Sequence, residues 1–243
     1  MSDSNFINLA DASKRMSMIS GYIDIHCHHP INGKHIEILS VDIHEYSPDI
    51  IHNRWLTLGL HPWFIGRQDV HTAMLCLERY ADHPNVLGIG ECGLDKAINT
   101  PLSDQLAVLN KQLQLATRLN KPIIIHCVRA FNELMQIKKR SQTPVFWIIH
   151  GFNTNPVVAQ QLLKLGFYFS FGKALLQSNS HASQVLSVLP LNRFFLETDA
   201  SDVCINQIYA AAADRLGIDV HCLQKQLAEN FRTVFMPSSG QVI

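Results

Sequence analysis

The stretch Tyr22-Ile23-Asp24-Ile25-His26-Cys27-His28-His29 decides how the rest of the sequence is interpreted. Apolar residues alternate with Asp24, His26 and His28, which is the periodicity of a β-strand. Side chains two positions apart in a strand point to the same face, so His26 and His28 can bind one metal ion while Cys27 faces the opposite way. Such a pair alone is a weak indication, because most histidine pairs are surface or core residues. Further ligands have to come from elsewhere in the chain.

Composition and charge limit the class of protein. The chain has 243 residues, of which 47% are hydrophobic and 16% charged, and this is typical of a globular protein. Its 20 basic and 20 acidic residues cancel, so an anionic substrate must be held by a local site rather than by an overall field. The six cysteines lack CxxC spacing and indicate reduced thiols. Without a signal peptide or an apolar run of membrane length, we expect a cytoplasmic protein that makes no membrane contact.

Strand and helix patterns alternate along the chain. Strands are predicted at residues 22–28, 36–43, 55–62, 86–91, 122–127, 145–150, 167–171 and 193–198. Helices are predicted at residues 68–82, 101–119, 130–139, 156–165, 180–189, 204–216 and 220–235. This alternation predicts an α/β protein, namely a TIM-type (β/α)8 barrel.

The connection between the first two predicted strands is unusually short. It has about seven residues, whereas a parallel crossover normally needs about a dozen, so the barrel is predicted to be irregular or to lack a helix there. One domain is predicted at residues 21–236. Residues 1–20 are expected to be a poorly ordered extension and residues 237–243 a loose tail.

Potential metal ligands stand at the ends of several predicted strands. In a barrel, all C-terminal strand ends meet at one mouth. Four imidazoles and two carboxylates suit a pair of divalent ions such as Zn, Mn, Mg or Fe. Two dications and two carboxylates leave a charge of about +2, which favours an anion such as a phosphodiester. The six residues are His26, His28, Glu91, His126, His150 and Asp199.

Six motifs, in order along residues 22 to about 236, resemble those of the TatD family of metal-dependent hydrolases. The resemblance implies a barrel of the amidohydrolase-like superfamily and divalent-metal-dependent DNA hydrolysis, often from the 3′ end. The motifs are Asp24-Ile-His26-Cys-His28, Gly59-Leu-His61-Pro62, Gly90-Glu91-Cys-Gly93-Leu94-Asp95, Lys121-Pro122-Ile-Ile-Ile-His126, His150-Gly-Phe152 and Glu197-Thr198-Asp199.

The resemblance also implies roles for the six ligands. One ion would be held by His26, His28, Glu91 and Asp199. Glu91 would bridge to a second ion, which His126 and His150 would hold. Asp199 would in addition orient or deprotonate the attacking water.

Two departures from the family pattern indicate a divergent branch whose substrate can differ. The region between the first two strands is short. Val128 also occupies the position, two residues after the fifth-strand histidine, where the family usually has arginine, and Arg129 follows it.

Other residues near these motifs are candidates for substrate contacts. His61 precedes Pro62 at a strand end and is predicted to contact a phosphate or water. Arg129 and Phe152 are further candidates. For Phe152, as for Trp63 and Phe64, packing under a loop is the alternative to stacking on a base.

Carboxylates and thiols beside the ligands need separate interpretation. Asp24, Asp95 and Glu197 can hold ligand imidazoles or backbone groups around the ions, and a purely structural partner is the alternative. The thiols of Cys27, Cys92 and Cys127 are predicted to pack rather than to bind metal.

Three functional hypotheses follow, and a monomer is expected in each. The first is a metal-dependent phosphodiesterase acting on DNA or another nucleic-acid or nucleotide ester. The second is an amidohydrolase-type enzyme for C–N or carboxylic ester bonds, which is disfavoured because Lys96 lies in a loop beyond the fourth strand, away from the bridging position. The third is a non-catalytic, metal-containing binding module.

Overall fold

Eight parallel strands stand side by side in the order in which they occur in the chain. The computed structural model describes residues 19–30, 35–51, 54–141 and 143–236. The strands are β1 Ile23–Cys27, β2 Ile36–Asp42, β3 Trp55–Gly59, β4 Val86–Asp95, β5 Ile123–Val128, β6 Trp147–Ile149, β7 Tyr168–Phe171 and β8 Phe194–Leu196.

Helices fill most of the connections between the strands. The α-helices are α1 Pro48–Ile51, α2 Val70–Tyr80, α3 Leu102–Leu119, α4 Phe131–Arg140, α5 Pro156–Lys164, α6 His181–Leu186, α7 Ile205–Leu216 and α8 Val220–Phe235. Short 3-10 helices cover Pro62–Arg67, Lys173–Leu176 and Leu191–Arg193. Asn155 caps α5, since its side chain accepts a hydrogen bond from the Val158 N–H at 3.1 Å. The predicted fold class, an α/β barrel of parallel strands, is confirmed.

The interior of the barrel has an apolar layer at the end where the strands begin. Seven strand residues of this layer, one from each of β2 to β8, pack together separately from the core beneath the outer helices. Helix α8 covers this end, where its Phe231 and Phe235 lie 5.8 Å, ring to ring, from Trp55 and Phe195. The seven residues are Ile38, Trp55, Leu87, Ile124, Ile148, Tyr168 and Phe195.

Strand periodicity places polar residues above this apolar floor. His126 and His150 lie two residues beyond Ile124 and Ile148, so they share the inward face and stand nearer the C-terminal mouth. Glu197 stands in the same relation to Phe195. The barrel is therefore apolar at its base and polar at the mouth, where barrel enzymes place their active sites.

The ring of strands has a seam between β8 and β1. In the part of the chain that the structure describes, the two are joined in backbone pairing by an isolated parallel bridge between Cys27 and Asp199. The Asp199 N–H donates to the His26 carbonyl at 2.9 Å, and the His28 N–H donates to the Asp199 carbonyl at 3.2 Å. The barrel is nearly closed, and the closing contacts lie at the mouth.

The first two strands pair in parallel despite their short connection. Residues 28–30 and 35 contain no helix, and residues 31–34 lie outside the described residues. The irregularity lies in β1, where the register against β2 shifts between Asp24 and Cys27. In contrast, β2 pairs with β3 without a break from Ile38 to Asp42.

Two further expectations concern the chain termini and the membrane. The predicted extension at 1–20 and the predicted tail at 237–243 fall almost wholly outside the described residues, which begin at 19 and end at 236. Within those residues, no helix combines the length and the apolar character that crossing a bilayer requires.

Candidate metal centre

Glu91 stands at the centre of a cluster of histidines at the barrel mouth. Its side chain is 7% exposed, and each carboxylate oxygen faces a different group. Oε2 lies 3.3 Å from His26 Nε2 and 3.7 Å from His28 Nε2. Oε1 lies 2.8 Å from His126 Nδ1 and 2.7 Å from His150 Nε2. The structure thus brings together the residues that the sequence assigns to two ions, with Glu91 between them.

The first group gathers His26, His28 and Glu91, whose ligand atoms lie within 4.8 Å of one another. Asp199 Oδ1 lies beside it, 3.8 Å from His26 Nε2 and 3.5 Å from His28 Nε2. An ion with bonds of about 2.0–2.2 Å has ligand–ligand edges of about 3.3–3.6 Å in a regular tetrahedron. The four separations that involve His26 and His28 approach these edges. Asp199 also forms a set of ligand atoms within 4.8 Å of one another with His26 and His150.

His26 provides an independent test of this fit. Its side chain is fully buried, and within the described residues neither ring nitrogen makes a hydrogen bond. Buried polar atoms normally have a partner, because an unsatisfied one costs free energy. A bound cation would satisfy Nε2, which points at Glu91 and Asp199.

The second group is tighter and includes a histidine that the sequence assigns to substrate. His61 Nε2 lies 3.0 Å from Glu91 Oε1, so His61 stands beside His126 and His150 around the same oxygen. The ligand atoms of His61, Glu91 and His126 lie within 4.8 Å of one another and could hold an ion. His61 therefore contacts the predicted bridging carboxylate. The sequence signal for this contact is the position of His61 at the end of a strand, which the other candidate ligands share.

Electrostatics around Glu91 favour an ionised carboxylate. Burial acts to raise the pKa of Glu91, but the neighbouring His150 and His126 outweigh it and hold the pKa well below its usual range. Burial acts to lower the pKa of His150, yet the charges of Glu91 and Glu197 hold it well above normal. Burial lowers the pKa of His61. Glu91 is thus held in its ionised form chiefly by its contact with His150.

Two of the three neighbouring carboxylates contact candidate ligands directly. Asp95 Oδ2 lies 3.2 Å from His126 Nε2. Glu197 is fully buried, accepts the Gly151 N–H at 2.6 Å and lies 3.5 Å from His150 Nδ1. Histidines that bind metal commonly direct their second nitrogen at a carboxylate, which fixes the ring orientation. The geometry agrees with the supporting role that the sequence suggests, and Asp95 also caps its own turn at the Ala97 N–H, 2.8 Å away.

Asp24 instead holds the backbone on both sides of the seam. Its Oδ1 accepts the His26 N–H at 3.2 Å and the Thr198 N–H at 3.1 Å, and Oδ2 accepts the Thr198 hydroxyl at 2.5 Å. Burial raises the pKa of Asp24 to about 7. Asp24 therefore positions His26 and Asp199 through the chain rather than through their side chains.

Asp199 follows β8 in a conformation that few side chains adopt. Its φ is 55°, in the left-handed region, which Asp tolerates better than most residues. Its side chain is 45% exposed. This turn directs the carboxylate into a mouth cavity of about 410 Å³, which candidate ligands line together with His29, Asp42, Glu45, Trp63 and Phe64.

The loop that carries His61 is held by residues that periodicity did not identify. Asp42 Oδ2 accepts the His61 N–H at 2.7 Å. Gln112 of α3 binds both the N–H and the carbonyl of Leu60, at 2.8 and 3.0 Å. Two helical turns earlier in α3, Gln105 binds the N–H and the carbonyl of Asp95, at 2.7 and 2.9 Å. Polar contacts between distant segments fix this side of the site.

Arg129 and Phe152, the other two predicted substrate contacts, do not line the mouth cavity as His61 does. Arg129 follows β5, is exposed and has a φ of 56°. Phe152 is 2% exposed and packs on Phe169 with ring centroids 4.8 Å apart. For Phe152 this placement favours the packing alternative over a substrate contact.

The thiols next to the ligands are inert in their surroundings. Cys27 Sγ lies 3.6 Å from the Ile38 carbonyl, and Cys92 is fully buried. Burial raises the pKa of Cys127 to about 12 and that of Cys92 further still. Thiols in this state are poor metal ligands, because the thiolate is the binding form.

Comparisons with known proteins identify a family and a fold. Residues 36–236 match the family described as TatD related DNase. The chain is 33% identical over 157 residues to YjjV of Escherichia coli K12, described as an uncharacterized metal-dependent hydrolase, covering 63% of this chain and 60% of that protein. It is 30% identical over 157 residues to human deoxyribonuclease TATDN3, covering 59% of this chain and 56% of that protein.

Two further comparisons extend this result. Human 3′-5′ RNA nuclease TATDN2 is 36% identical over 152 residues, which are 60% of this chain and 20% of that protein. The matched segments thus span less than two thirds of these curated relatives. The crystal structure of E. coli YjjV superposes with a TM-score of 0.79 at 22% identity, covering 89% of this chain and 98% of that one, which shows the shared fold.

Proposed function

The chain belongs to the TatD-related DNase family of metal-dependent hydrolases, and from this membership we propose that it hydrolyses a phosphodiester of DNA or of another nucleic-acid or nucleotide ester. One observation carries the proposal. The two oxygens of Glu91 face two separate sets of ligand atoms, which is the arrangement of a carboxylate that bridges two ions. Curated relatives described as a deoxyribonuclease and an RNA nuclease support the substrate class.

Two divalent ions fit the residues present. We assign His26, His28, Glu91 and Asp199 to one ion, and Glu91, His126 and His150 to the other. Such a pair, when bound, polarises the phosphoryl oxygens and makes a water molecule more acidic. The protein residues set the positions: Glu91 fixes the separation of the two ligand groups, and Glu197 and Asp95 orient the imidazoles of His150 and His126.

Asp199 is assigned to the attacking water. Its carboxylate is 45% exposed and borders the cavity, whereas Glu91 is nearly buried. It can therefore accept a hydrogen bond, and then a proton, from a water that approaches a phosphate in the cavity. The left-handed turn at Asp199 keeps this carboxylate directed at the mouth.

Charge alone does not select the substrate. Two dications would carry four positive charges, but Glu91, Asp199, Asp95 and Glu197 can contribute four negative ones. The net positive charge expected from Glu91 and Asp199 alone is therefore reduced. A phosphate would be bound by direct contact with the ions and their open positions, not by a long-range field.

The amidohydrolase-type alternative gains no support from the geometry. The bridging position is occupied by Glu91, and Lys96 Nζ lies 2.5 Å from Glu133 Oε1 in an ion pair. A lysine held in this way does not serve as a bridge between the two ligand groups. The non-catalytic alternative is tested by the same experiment as the main proposal.

The proposal is tested by a hydrolysis screen combined with metal analysis. The substrates are single-stranded DNA and bis(p-nitrophenyl) phosphate, with Mn, Mg or Zn added after EDTA treatment. We expect metal-dependent cleavage by the wild type, and loss of bound metal and of cleavage in Glu91→Ala. Asp199→Asn should lose turnover while retaining the ion that we assign to Glu91, His126 and His150. Asp214→Asn, a change at an exposed position of α7, is the control.

The screen separates the three hypotheses. Undiminished hydrolysis by Glu91→Ala and Asp199→Asn without metal would rule out the proposed site. Cleavage of amides or carboxylic esters but not of phosphodiesters would establish the amidohydrolase alternative. Two ions per chain with no cleavage of any ester would establish a binding module.

A further inference from the structure

Trp63 is an exposed indole beside the candidate metal centre. Its side chain borders the mouth cavity and the residue is 51% exposed, whereas the other two tryptophans, Trp55 and Trp147, are 8% and 0% exposed. A singly exposed apolar side chain is ordinary on a protein surface, so the informative feature is the position of Trp63 beside the cavity. There the indole can contact a substrate that enters the cavity.

The indole is held in place by its polar atoms. Its Nε1 donates to Asp95 Oδ2 at 2.7 Å, and its backbone N–H donates to His61 Nδ1 at 3.1 Å. The ring stands edge-on to the rings of His61 and His126, with centroids 5.1 and 6.0 Å away. Because these contacts satisfy the indole nitrogen and fix the ring, the remaining exposed surface is apolar and preorganised for a flat partner.

Nucleic acids are often bound through Lys and Arg side chains that contact the phosphates, and the mouth cavity lacks such side chains among its described lining residues. Arg67 lies over the Phe64 ring at 5.3 Å from its centroid, and Lys96 is paired with Glu133. Arg129 is exposed but does not line the cavity. A site with metal ligands, one fixed aromatic ring and few cations suits recognition of a base next to a single phosphate, rather than a long run of backbone phosphates.

We propose that Trp63 is a stacking platform for an unpaired base adjoining the scissile phosphate, so that the substrates are short or single-stranded nucleotide esters. The inference rests on the proposed function and adds the feature of the substrate that the protein recognises. A base paired within a duplex has both faces covered by its neighbours and cannot stack on the indole without being unstacked first.

The test compares two substrates and two variants. The substrates are a thymidine tetranucleotide and a tetramer with the same sugars and phosphates but no bases. Trp63→Phe and Trp63→Leu both lose the hydrogen bond to Asp95, and only the first keeps an aromatic ring. Comparing the two variants with each other therefore isolates the ring from any effect that passes through Asp95 to His126.

On the tetranucleotide, we expect kcat/KM of Trp63→Leu to fall below that of Trp63→Phe by about 5- to 150-fold, which corresponds to the range of about 1–3 kcal/mol for stacking one base. On the abasic tetramer, the two variants should have equal kcat/KM. Bound metal and the thermal unfolding midpoint should be the same in both variants.

A binding measurement supplies a readout without turnover. In the Asp199→Asn background, the tetranucleotide should quench indole fluorescence, because Trp63 is the exposed tryptophan, and the abasic tetramer should not. The stacking role would be overturned if kcat/KM of Trp63→Leu fell below that of Trp63→Phe by the same factor on both substrates, or if the tetranucleotide were cleaved but caused no quenching. Either result would leave the phosphodiesterase proposal intact. Failure of the wild type to cleave either substrate would overturn the phosphodiesterase proposal, and the stacking proposal with it.

Discussion

Glu197 shows how one buried side chain can control a centre that it does not enter. It is fully buried, accepts the Gly151 N–H at 2.6 Å and lies 3.5 Å from His150 Nδ1. We expect Glu197→Gln to weaken metal affinity or activity by about 10–100-fold, because the neutral amide holds the imidazole less firmly. Metal titration and steady-state kinetics measure the effect. Glu78→Gln on α2 is the control, and a variant indistinguishable from the wild type would contradict the role.

Single residues of the site differ in how far the sequence could predict them. Alternation along a strand predicts that the side chains of His126 and His150 point inward at the mouth, and in the structure both lie against Glu91 there. Contact of His61 with Glu91, and the hold of Asp42 on the His61 backbone, depend on the side-by-side arrangement of β2, β3 and β4. Periodicity carries no information on contacts between segments, so the sequence predicts neither the contact of His61 with Glu91 nor the hydrogen bond from the His61 backbone to Asp42.

At the scale of elements, β4 and β5 approach each other very closely beside the site. Gly93, with a φ of 156°, pairs with His126, and a Cβ at this position would overlap the His126 carbonyl oxygen. We expect Gly93→Ala to lower the free energy of unfolding by at least about 3 kcal/mol, at the upper end of overpacking costs, because backbone rather than a side chain must move. The displaced His126 should also weaken metal binding.

Urea unfolding and metal titration measure both effects of Gly93→Ala. Gly66→Ala is the matched control, because the nearest atom to its Cβ would be Thr100 Oγ1 at 4.0 Å. If Gly93→Ala were as stable as Gly66→Ala, the close approach of the two strands would be refuted.

The packing of α4 on β6 predicts a pH dependence. Lys138 Nζ lies 4.7 Å from the Trp147 ring centroid, and burial lowers the pKa of this lysine to about 8. In the unfolded chain a lysine titrates near about 10.4, so between these values the unfolded state binds more protons and stability rises with pH. The cost of burying the charge is fully present below pH 8, where the lysine is charged in both states.

We therefore expect the unfolding free energy of Lys138→Met, relative to that of the wild type, to be higher at pH 7 than at pH 10. Urea unfolding at pH 7, 8.5 and 10 gives the difference in unfolding free energy between the two proteins. Lys139→Met, an exposed neighbour on the same helix, should show a constant difference. A constant difference for Lys138→Met as well would contradict the shifted pKa.

Element type and order were predictable, and polar contacts between elements were not. The apolar face of α3 packs into the core, where Leu109 and Leu113 are buried. The same helix also buries Gln105 and Gln112, which bind the ends of β4 and β3. A glutamine within an amphipathic pattern reads as a surface residue, so only the docked position of the helix reveals its role.

At the scale of the whole molecule, the apolar layer at the base and the candidate metal ligands at the mouth lie at opposite ends of the barrel. Phe231 of α8 is fully buried among the apolar layer at the base, with its ring centroid 5.8 Å from that of Trp55. We expect Phe231→Ala to cost about 3–5 kcal/mol of unfolding free energy, as for other large core truncations. Metal affinity of the folded protein should be unchanged, because the ligands lie at the mouth.

Urea unfolding and metal titration at low denaturant separate the two effects. Leu75→Ala, at a position 54% exposed, is the control and should change stability by no more than about 0.5 kcal/mol. A loss of metal affinity in Phe231→Ala would show that base and mouth are coupled.

The seam between the first and last strands implies a structural role for an ion bound at the candidate metal centre. His26 and His28 stand on one side of that seam and Asp199 on the other, and the bridging backbone bonds run between the same residues. An ion held by all three would link the first and last strands at the point where their backbone pairing is an isolated bridge. Removing such an ion would then loosen the ring of strands as well as abolish the proposed hydrolysis.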